Sequence, residues 1–354
     1  MKKMLTLFAG LLLSGIMLNA TVYTVSNNPS IPAQYTSFQA AIDAASADDT
    51  ILVAGSPNYY GDITVNKRLV IFGAGHNNPY GYNTIVDDVN LVTVSAVIGA
   101  SGSHISGLYV RYDFRLYGSY TGGGVLENVI VERCRLHNVG WNHDDVTYTN
   151  DTIRNCLIQD YNMYFNDGTY SGVMLHNNVF DNETFSQDGN ADLSGVEVLN
   201  NIFLDETANV FNSGGSRIKN MIIENNIFYD AEPQGCYGCT FENNITYFNT
   251  NDDPLGEDNT GSGNIIGDDP EFTSYPFDGG GFTYEHDFTL KGTSPGLSAG
   301  TDGSDIGITG GLRPYTPGVN PSIPQVTEIG FPDNASSVKI GGDLNVSFKA
   351  KIQE

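Results

Sequence analysis

A short phrase recurs seven times between residues 134 and 264, and its period constrains the fold more than any other feature of this chain. In each copy, an Asn or Cys is followed within two positions by an aliphatic or aromatic residue. These Asn and Cys residues are Cys134, Cys156, Asn178, Asn201, Asn226, Asn244 and Asn264, with successive steps of 22, 22, 23, 25, 18 and 20 residues. Such a period with short β-type phrases is the signature of a solenoid, in which each repeat forms one coil and stacks on the next.

Stacked coils place equivalent side chains in columns along the solenoid axis. A buried Asn at a corner can hydrogen-bond the turn backbone and the Asn of the next coil, which satisfies groups whose unpaired burial costs about 1–3 kcal/mol each. The repeat therefore predicts corner-stabilising asparagines; a row of ligands for calcium or sugar hydroxyls is the functional alternative. A neighbouring apolar column is predicted to stack in the core, and its members are Ile202, Ile227, Ile245 and Ile265.

The two ends of the chain differ from the repeat. Residues 1–20 combine two lysines, an apolar stretch too short to span a membrane and a final small residue, which predicts a signal peptide and a secreted or cell-surface protein. Residues 37–45 are predicted as an amphipathic helix that caps the solenoid, with Thr36 and Gln39 as a capping box. A β-helix domain is expected over 21–311, then a proline-rich linker over 312–325 and a β-hairpin tail over 326–354.

Both flanks of the repeat resemble a known superfamily. The segment ADDTILVAGSPNYYGDITVNKRLVIFGAG, which follows the predicted helix, and later elements such as Asp269-Pro270-Glu271-Phe272 are similar to those of secreted bacterial pectin-lyase-like proteins. The resemblance spans about residues 22–311. It implies an all-β, right-handed parallel β-helix solenoid, and it implies an extracellular polysaccharide as partner. It does not imply one activity, because this fold hosts lyases, hydrolases and proteins of no known chemistry.

Charge narrows the class of partners further. Lys and Arg number 16 against 41 Asp and Glu, for a net charge of −25. Such a surface repels nucleic acid and anionic membranes, and it repels a polyuronate unless cations intervene. We therefore expect a monomeric protein that binds neither nucleic acid nor a membrane.

Candidate chemistry lies where the repeat is interrupted. Asp144 and Asp145 form the densest acidic cluster, and Asp167 follows Asp145 by 22 residues, so these three are candidate calcium ligands. Adjacent carboxylates can also share a proton in catalysis, and a lyase needs a basic residue, which makes Asp144, Asp145 and Arg154 candidate catalytic residues. Turn residues on an acidic surface are the alternative interpretation.

A second candidate comes from a motif. Arg217-Ile218-Lys219 resembles the RIK element of polygalacturonase-type hydrolases, and this resemblance implies substrate-binding roles for Arg217 and Lys219. The Gly-His-Gly segment of that family is absent from this sequence.

Aromatic residues cluster around an irregular, glycine-rich stretch. Exposed aromatic rings can stack on sugars, whereas packing against a longer loop is the alternative. The candidate carbohydrate-binding residues are Tyr109, Tyr112, Tyr117, Tyr120 and Trp141.

The leading interpretation is a secreted or cell-surface β-helix protein that contacts extracellular carbohydrate without established catalysis. A calcium-dependent polysaccharide lyase or a glycoside hydrolase is the second hypothesis. A structural or adhesion protein of the cell surface is the third.

Overall fold

The structure is a computed structural model. It describes residues 20–78, 81–93, 99–117, 124–189, 191–211, 217–256, 258–276, 279–311, 313–315, 325–330 and 347–351. The predicted signal peptide, Tyr120 and most of the predicted linker therefore lie outside the described residues.

Three long parallel sheets form the walls of a solenoid, and successive coils add strands to them in a fixed order. Within the described residues, sheet 1 has eleven strands: Val22–Val25, Thr50–Val53, Val70–Phe72, His104–Ser106, Ile130–Glu132, Thr152–Arg154, Val173–His176, Val196–Leu199, Ile222–Glu224, Thr240–Glu242 and Thr260–Ser262. Sheet 2 has nine over the same residues: Ile85–Val86, Tyr109–Val110, Arg135–Leu136, Leu157–Gln159, Val179–Asp181, Ile202–Asn209, Ile227–Glu232, Ile245–Tyr247 and Ile265–Ile266. Sheet 3 has six that are described: Ile63–Val65, Val89–Val92, Asp113–Tyr117, Asn138–Trp141, Asn162–Phe165 and Thr184–Gln187.

Shorter elements complete the coils. A parallel three-stranded sheet, again counted over described residues, precedes sheet 1 in the middle coils and comprises Gly124–Glu127, Val146–Thr149 and Thr169–Ser171. Ile218–Lys219 pairs in parallel with Cys236–Tyr237. Two antiparallel pairs lie near the C-terminus: Phe272–Ser274 with Asp287–Leu290, and Gln325–Gly330 with Ser347–Lys351. The all-β parallel β-helix and the C-terminal hairpin predicted from the sequence are thereby confirmed.

The N-terminal end of the solenoid is closed by the helix Phe38–Ala44. Its apolar face is buried in the main core, as expected of a cap. The N-cap is Ser37, whose Oγ accepts from the backbone N–H of Ala40 at 3.2 Å. The capping box predicted from Thr36 and Gln39 is therefore wrong: Gln39 accepts from the N–H of Thr64 at 2.7 Å and holds the helix to the next coil.

Stacked rings fill the interior of the solenoid. Phe180, Phe203 and Phe228 follow one another in register, with ring centroids 4.7 and 4.6 Å apart and nearly parallel planes. This distance equals the separation of neighbouring strands, about 4.7–4.9 Å, so one ring per coil builds a continuous apolar column. Trp141 and Phe165 stack in the same way on the inner side of sheet 3, at 4.7 Å.

The second asparagine of each pair forms a buried ladder between sheets 1 and 2. The side-chain oxygen of Asn226 accepts from the backbone N–H of Asn201 at 2.8 Å and from the side-chain amide of Asn201 at 3.0 Å. Its own amide donates to the oxygens of Val198 and Asn244, at 2.8 and 3.0 Å. Asn178, Asn201 and Asn244 repeat this pattern. The predicted role of this column in stabilising the corners is confirmed.

The predicted isoleucine column forms outside the interior of the solenoid. Ile202, Ile227 and Ile245 are fully buried, but they stack on the outer side of sheet 2. They belong to a second core, closed by residues 268–315, which we call the C-terminal segment. Its apolar residues against the sheet are Phe272, Phe288, Ile306, Ile308 and Tyr315. The prediction that this column stacks in a core is confirmed, and that core is the second one, which the C-terminal segment closes over the outer side of sheet 2.

The first asparagine of each pair holds the C-terminal segment in place. These residues have left-handed backbones, with φ of 54° at Asn177 and 53° at Asn200, and their side chains point out of the corner. The amide of Asn177 donates to the carbonyls of Ile308 and Gly310 at 3.0 and 2.9 Å. Asn200, Asn225 and Asn243 bind earlier parts of the segment at Asp305, Gly307, Thr301 and Ala299.

A buried histidine anchors the segment at the other end of the solenoid. The Nδ1 of His76 lies 2.7 Å from the hydroxyl of Tyr284. Burial lowers the pKa of His76 to about 3, so the ring is neutral at physiological pH.

Among the described residues, no helix is long and apolar enough to cross a membrane.

Candidate functional site

The outer side of sheet 3 carries two columns of polar side chains, while that of sheet 2 lies under the C-terminal segment. Alternation along the strands directs residues such as Phe114 and Leu116 inward and their neighbours outward. The strand register aligns Asp113 with Asn138 and Asn162, and it aligns Asn90 with Arg115, Gly140, Tyr164 and Ser186. We call these outward residues of sheet 3 the polar face.

Arg115 is the charged centre of the polar face. Its Nη1 donates to Asp88 Oδ2 at 3.0 Å and to Asn90 Oδ1 at 3.3 Å, and its Nη2 binds Asp113. Asp113 in turn accepts from the amide of Asn138 at 2.6 Å. These contacts fix the guanidinium and both carboxylates, which are about a quarter exposed. The result is a preorganised set of hydrogen-bonding groups that remain open to solvent.

The same pattern continues on the next coils. The Asn162 amide donates to the Ser186 hydroxyl at 2.7 Å, and that hydroxyl lies 3.0 Å from the amide oxygen of Asn162. Between Arg115 and Tyr164 the column contains Gly140. A Cβ at position 140 would lie 1.9 Å from the side-chain oxygen of Asn142, so the Asn142 side chain folds over the sheet at the glycine, between the arginine and the tyrosine.

Exposed aromatic rings line the corner between sheets 2 and 3. Arg111 lies between two tyrosines, with its guanidinium carbon 4.2 Å from the ring centre of Tyr59 and 4.9 Å from that of Tyr112. On the following coils, His137 and Tyr161 have ring centroids 5.5 Å apart. Tyr112 and Tyr161 are 50% and 62% exposed. We call Tyr59, Tyr112, His137 and Tyr161 the aromatic corner.

The aromatic residues predicted to bind carbohydrate lie in different environments. Tyr112 belongs to the aromatic corner, and Tyr117 is the last residue of a sheet 3 strand. Tyr109 starts a sheet 2 strand, where the guanidinium of Arg135 lies 4.7 Å from its ring centre. Trp141 is fully buried in the solenoid core, so its prediction as a sugar-stacking residue was wrong. Tyr120 lies outside the described residues.

The predicted acidic residues lie at the opposite corner of sheet 3. Asp144, Asp145 and Asp167 are exposed turn residues, and the N–H of Asp145 donates to the carbonyl of Asp167 at 3.3 Å. Asp144 contributes to the raised pKa of Tyr164, after burial and Asp188. Within the described residues, no three Asp, Glu, His or Cys side chains converge as ligands for a metal ion. All three aspartates lie in turns, and their roles as calcium ligands or catalytic residues stay predictions.

The basic candidates are separated from one another. Arg154 lies on the outer side of sheet 1 and forms an ion pair with Glu132, with Nη2 and Nε at 2.6 and 2.8 Å. Arg217 lies over the ring of Tyr237 and donates to the carbonyl of Cys236 at 3.1 Å. The ammonium of Lys219 donates to the carbonyl of Gly189 at 3.3 Å. Arg154 thus belongs to a different wall from Arg217 and Lys219.

Sequence reasoning missed most of the polar face. Asp113, Arg115 and Tyr164 lie outside the recurring Asn phrase, and their convergence depends on strand register. An available signal was alternation within Asp113–Tyr117, where apolar Phe114 and Leu116 separate polar neighbours. That pattern identifies which side chains point outward but not which coil lies beside them.

Similarity to known proteins is found among solved structures. No protein-family model matches the chain. No curated protein matches it. Among solved structures, the chain is similar to a pectin methylesterase from Aspergillus niger, with 15% identity and a TM-score of 0.37 over 71% of this chain and 92% of the esterase. It is also similar to an alginate lyase from Paenibacillus sp. str. FPU-7, with 13% identity and a TM-score of 0.28 over 65% of this chain and 93% of the lyase.

The strand topology is that of a parallel β-helix, as the sequence resemblance implied. Similarities at these identities and TM-scores assign no activity or substrate to this chain.

Proposed function

We propose that this chain is a secreted or cell-surface protein that binds polysaccharide along the polar face and the aromatic corner of sheet 3. The observation that carries this proposal is the repetition of exposed groups at coil spacing. Tyr112 and Tyr161 lie two coils apart, a distance of about 10 Å at about 4.8 Å per coil. A polysaccharide is itself a repeat of rings and hydroxyl groups, so a repeating surface offers it equivalent contacts in succession.

The two parts of the surface supply complementary interactions. Tyrosine rings offer a flat apolar face to the C–H groups of a sugar and a hydroxyl for hydrogen bonding. Asp113, Asn138 and Asn162 offer donors and acceptors in fixed positions for sugar hydroxyls. Because Arg115 is already paired with acidic groups, the face carries no excess positive charge that would require an anionic ligand. A neutral or weakly charged glycan fits this surface best.

The experiment is a binding screen with matched variants. The purified protein is titrated with a panel of neutral and acidic polysaccharides by isothermal calorimetry, with and without calcium. Tyr161→Ala is expected to lower the affinity for the bound glycan by about tenfold or more. Tyr82→Ala is the control, since Tyr82 is equally exposed, at 54%, but lies outside the aromatic corner. Equal losses in both variants, or no binding by the wild type, would refute the proposal.

The same samples test the catalytic hypothesis. New reducing ends would indicate hydrolysis, and unsaturated products that absorb in the ultraviolet would indicate a lyase. Loss of turnover in Asp113→Asn would indicate that the active site lies on the polar face. Loss of turnover in Arg154→Ala would indicate that the active site lies on sheet 1. A protein that neither binds nor cleaves any glycan in the panel would favour the structural or adhesion role.

A further inference from the structure

A concave site lies on another wall of the solenoid, where the C-terminal segment runs beside sheet 1. It encloses about 370 Å³. Its floor is a column on successive coils, formed by Arg154, His176, Leu199 and Glu224. Thr301 and Arg313 of the C-terminal segment form its rim. We call this site the sheet 1 groove.

The first asparagine column keeps the groove open. Asn225 binds Thr301 through both its amide nitrogen and its oxygen, at 3.0 and 2.8 Å. Asn155 donates to the backbone carbonyl of Arg313 at 3.1 Å. The rim is therefore attached to the floor at both ends by hydrogen bonds that do not use the charged side chains. Such a site is preformed, and a ligand need not order it on binding.

One end of the groove is positively charged. The guanidinium of Arg154 is held by Glu132, which also lies 3.0 Å from Nε2 of His104. Arg313 has no carboxylate within ion-pairing distance among the described residues. Both arginines lie near His176, and burial, followed by these two charges, lowers the pKa of its ring. In a chain of net charge −25, two guanidinium groups with one carboxylate between them form a local excess of positive charge.

The other end is acidic. Glu224 is aligned with Glu242 on the next strand, and Glu197 lies diagonally across on the preceding strand, where it is aligned with Ile222. Burial together with the Glu242 and Glu197 carboxylates raises the pKa of Glu224. No described Lys or Arg pairs with any of the three. The middle of the floor is apolar, with Met174 and Leu199. Arg154 and Glu224 are three coils apart, which is about 14 Å.

We propose that the sheet 1 groove binds a short peptide with free termini, about four residues long, with its carboxylate at Arg154 and Arg313 and its ammonium group at Glu224. Four extended residues span about 13–14 Å, which matches the distance between the charged ends. The apolar middle accommodates small apolar side chains. The peptide supplies each end of the groove with the charge that it lacks, and the attraction is strengthened where water is excluded.

Tetra-alanine, its N-acetylated form and its C-terminal amide are the probes, titrated into the full chain by calorimetry at low salt. Unblocked tetra-alanine is expected to bind, and either blocking group should weaken binding about tenfold or more. Arg313→Gln should remove the penalty for the C-terminal amide but keep that for acetylation, and Glu224→Gln should do the converse. Arg68→Gln is the control, since Arg68 is paired with Asp48 on the surface.

Three outcomes would overturn the proposal. These are no saturable binding of any unblocked peptide of two to six residues, equal binding of free and blocked peptides, or an oligosaccharide that binds the wild type and is lost in Arg313→Gln. Each variant must also retain the wild-type thermal unfolding temperature. Both substitutions keep the hydrogen bonds that attach the rim, because Asn155 donates to the main-chain carbonyl of residue 313 and the side-chain oxygen of glutamine at 224 can still accept from the Thr301 hydroxyl. The polysaccharide site on sheet 3 is independent of these results.

Discussion

Sheets 2 and 3 are walls of the same solenoid, yet their outer sides have opposite characters. The outer side of sheet 2 carries a column of isoleucines, and the C-terminal segment buries it. The outer side of sheet 3 carries Asp113, Arg115 and Asn138 and stays open. The inner sides of both are equally apolar. The difference shows that the outward residues of a β-helix decide which wall serves stability and which is free for binding.

The largest effect on the free energy of unfolding is expected from sheet 2, the wall whose outer side is covered by the C-terminal segment. Phe288 of the C-terminal segment is buried and makes edge contacts with Phe272 and tilted contacts with Tyr275. Phe288→Ala should lower the free energy of unfolding by about 3–4 kcal/mol, since it removes a buried ring and leaves a cavity. Chemical denaturation measures this. A loss below about 1 kcal/mol would mean that the second core contributes little and that the two walls are alike.

Acidification should also weaken the covered wall. Folding lowers the pKa of His76 from 6.5 to about 3, so between these values the unfolded chain binds more protons than the folded one. The stabilisation is complete above pH 6.5 and is lost as the pH falls towards 3. The loss between pH 7 and pH 5 should be about 2 kcal/mol. His76→Gln should flatten this part of the stability profile, and a profile unchanged by the substitution would contradict the assignment.

A smaller effect is expected from the first asparagine column. Asn200→Gly removes two hydrogen bonds to the C-terminal segment, at 3.2 and 3.3 Å, while glycine tolerates the left-handed backbone. The cost should be about 1–2 kcal/mol. Hydrogen exchange should accelerate around residues 305–311. Asn150→Gly is the control: its backbone is also left-handed, but among the described residues its side-chain amide donates to Asn128 on an exposed corner and not to the C-terminal segment. Matching losses in both variants would show that the turn, and not the attachment, is responsible.

The open wall should show the smallest effect on stability. Tyr112→Ala removes a half-exposed ring of the aromatic corner and should change the free energy of unfolding by no more than about 0.5 kcal/mol. Thermal unfolding measures the change, and a loss above about 1.5 kcal/mol would show that the aromatic corner is part of the packing. Substitutions in the aromatic corner of sheet 3 are therefore expected to weaken glycan binding without lowering the stability of the fold.

The local sequence pattern was sufficient to predict the coils of the solenoid but not the C-terminal segment that packs against them. The asparagine phrase identified the repeat and the buried ladder, because each Asn bonds its equivalent about one period away. It did not distinguish Asn200, which binds the C-terminal segment, from Asn201, which stays inside. That difference depends on Asp305 and Gly307, more than 100 residues later in the chain. For the same reason the pattern predicted that Ile227 is buried but not in which core, since an apolar side chain in a strand can face either side of the sheet.

The candidate site depended even more on distant parts of the chain. Tyr112 was predicted because it lies in an aromatic-rich stretch, and it proved to be exposed. Trp141 lies in the same region, but strand alternation turns it into the core. Arg115 acquires its role from Asp88 and Asn90, each about one coil away. Contacts between coils are set by register, and irregular turn lengths hide register from the sequence.

The direction of the C-terminal segment has a consequence for how the molecule unfolds. A simple stack of coils holds together only through nearest neighbours, so its ends fray one coil at a time. Here the chain turns back after its last coil and is tied in turn to Asn243, Asn225, Asn200 and Asn177, and Tyr284 reaches His76 in an early coil. Opening the last coil therefore requires releasing this tie from coils far upstream. The coils and the C-terminal segment are therefore expected to unfold together as one cooperative unit.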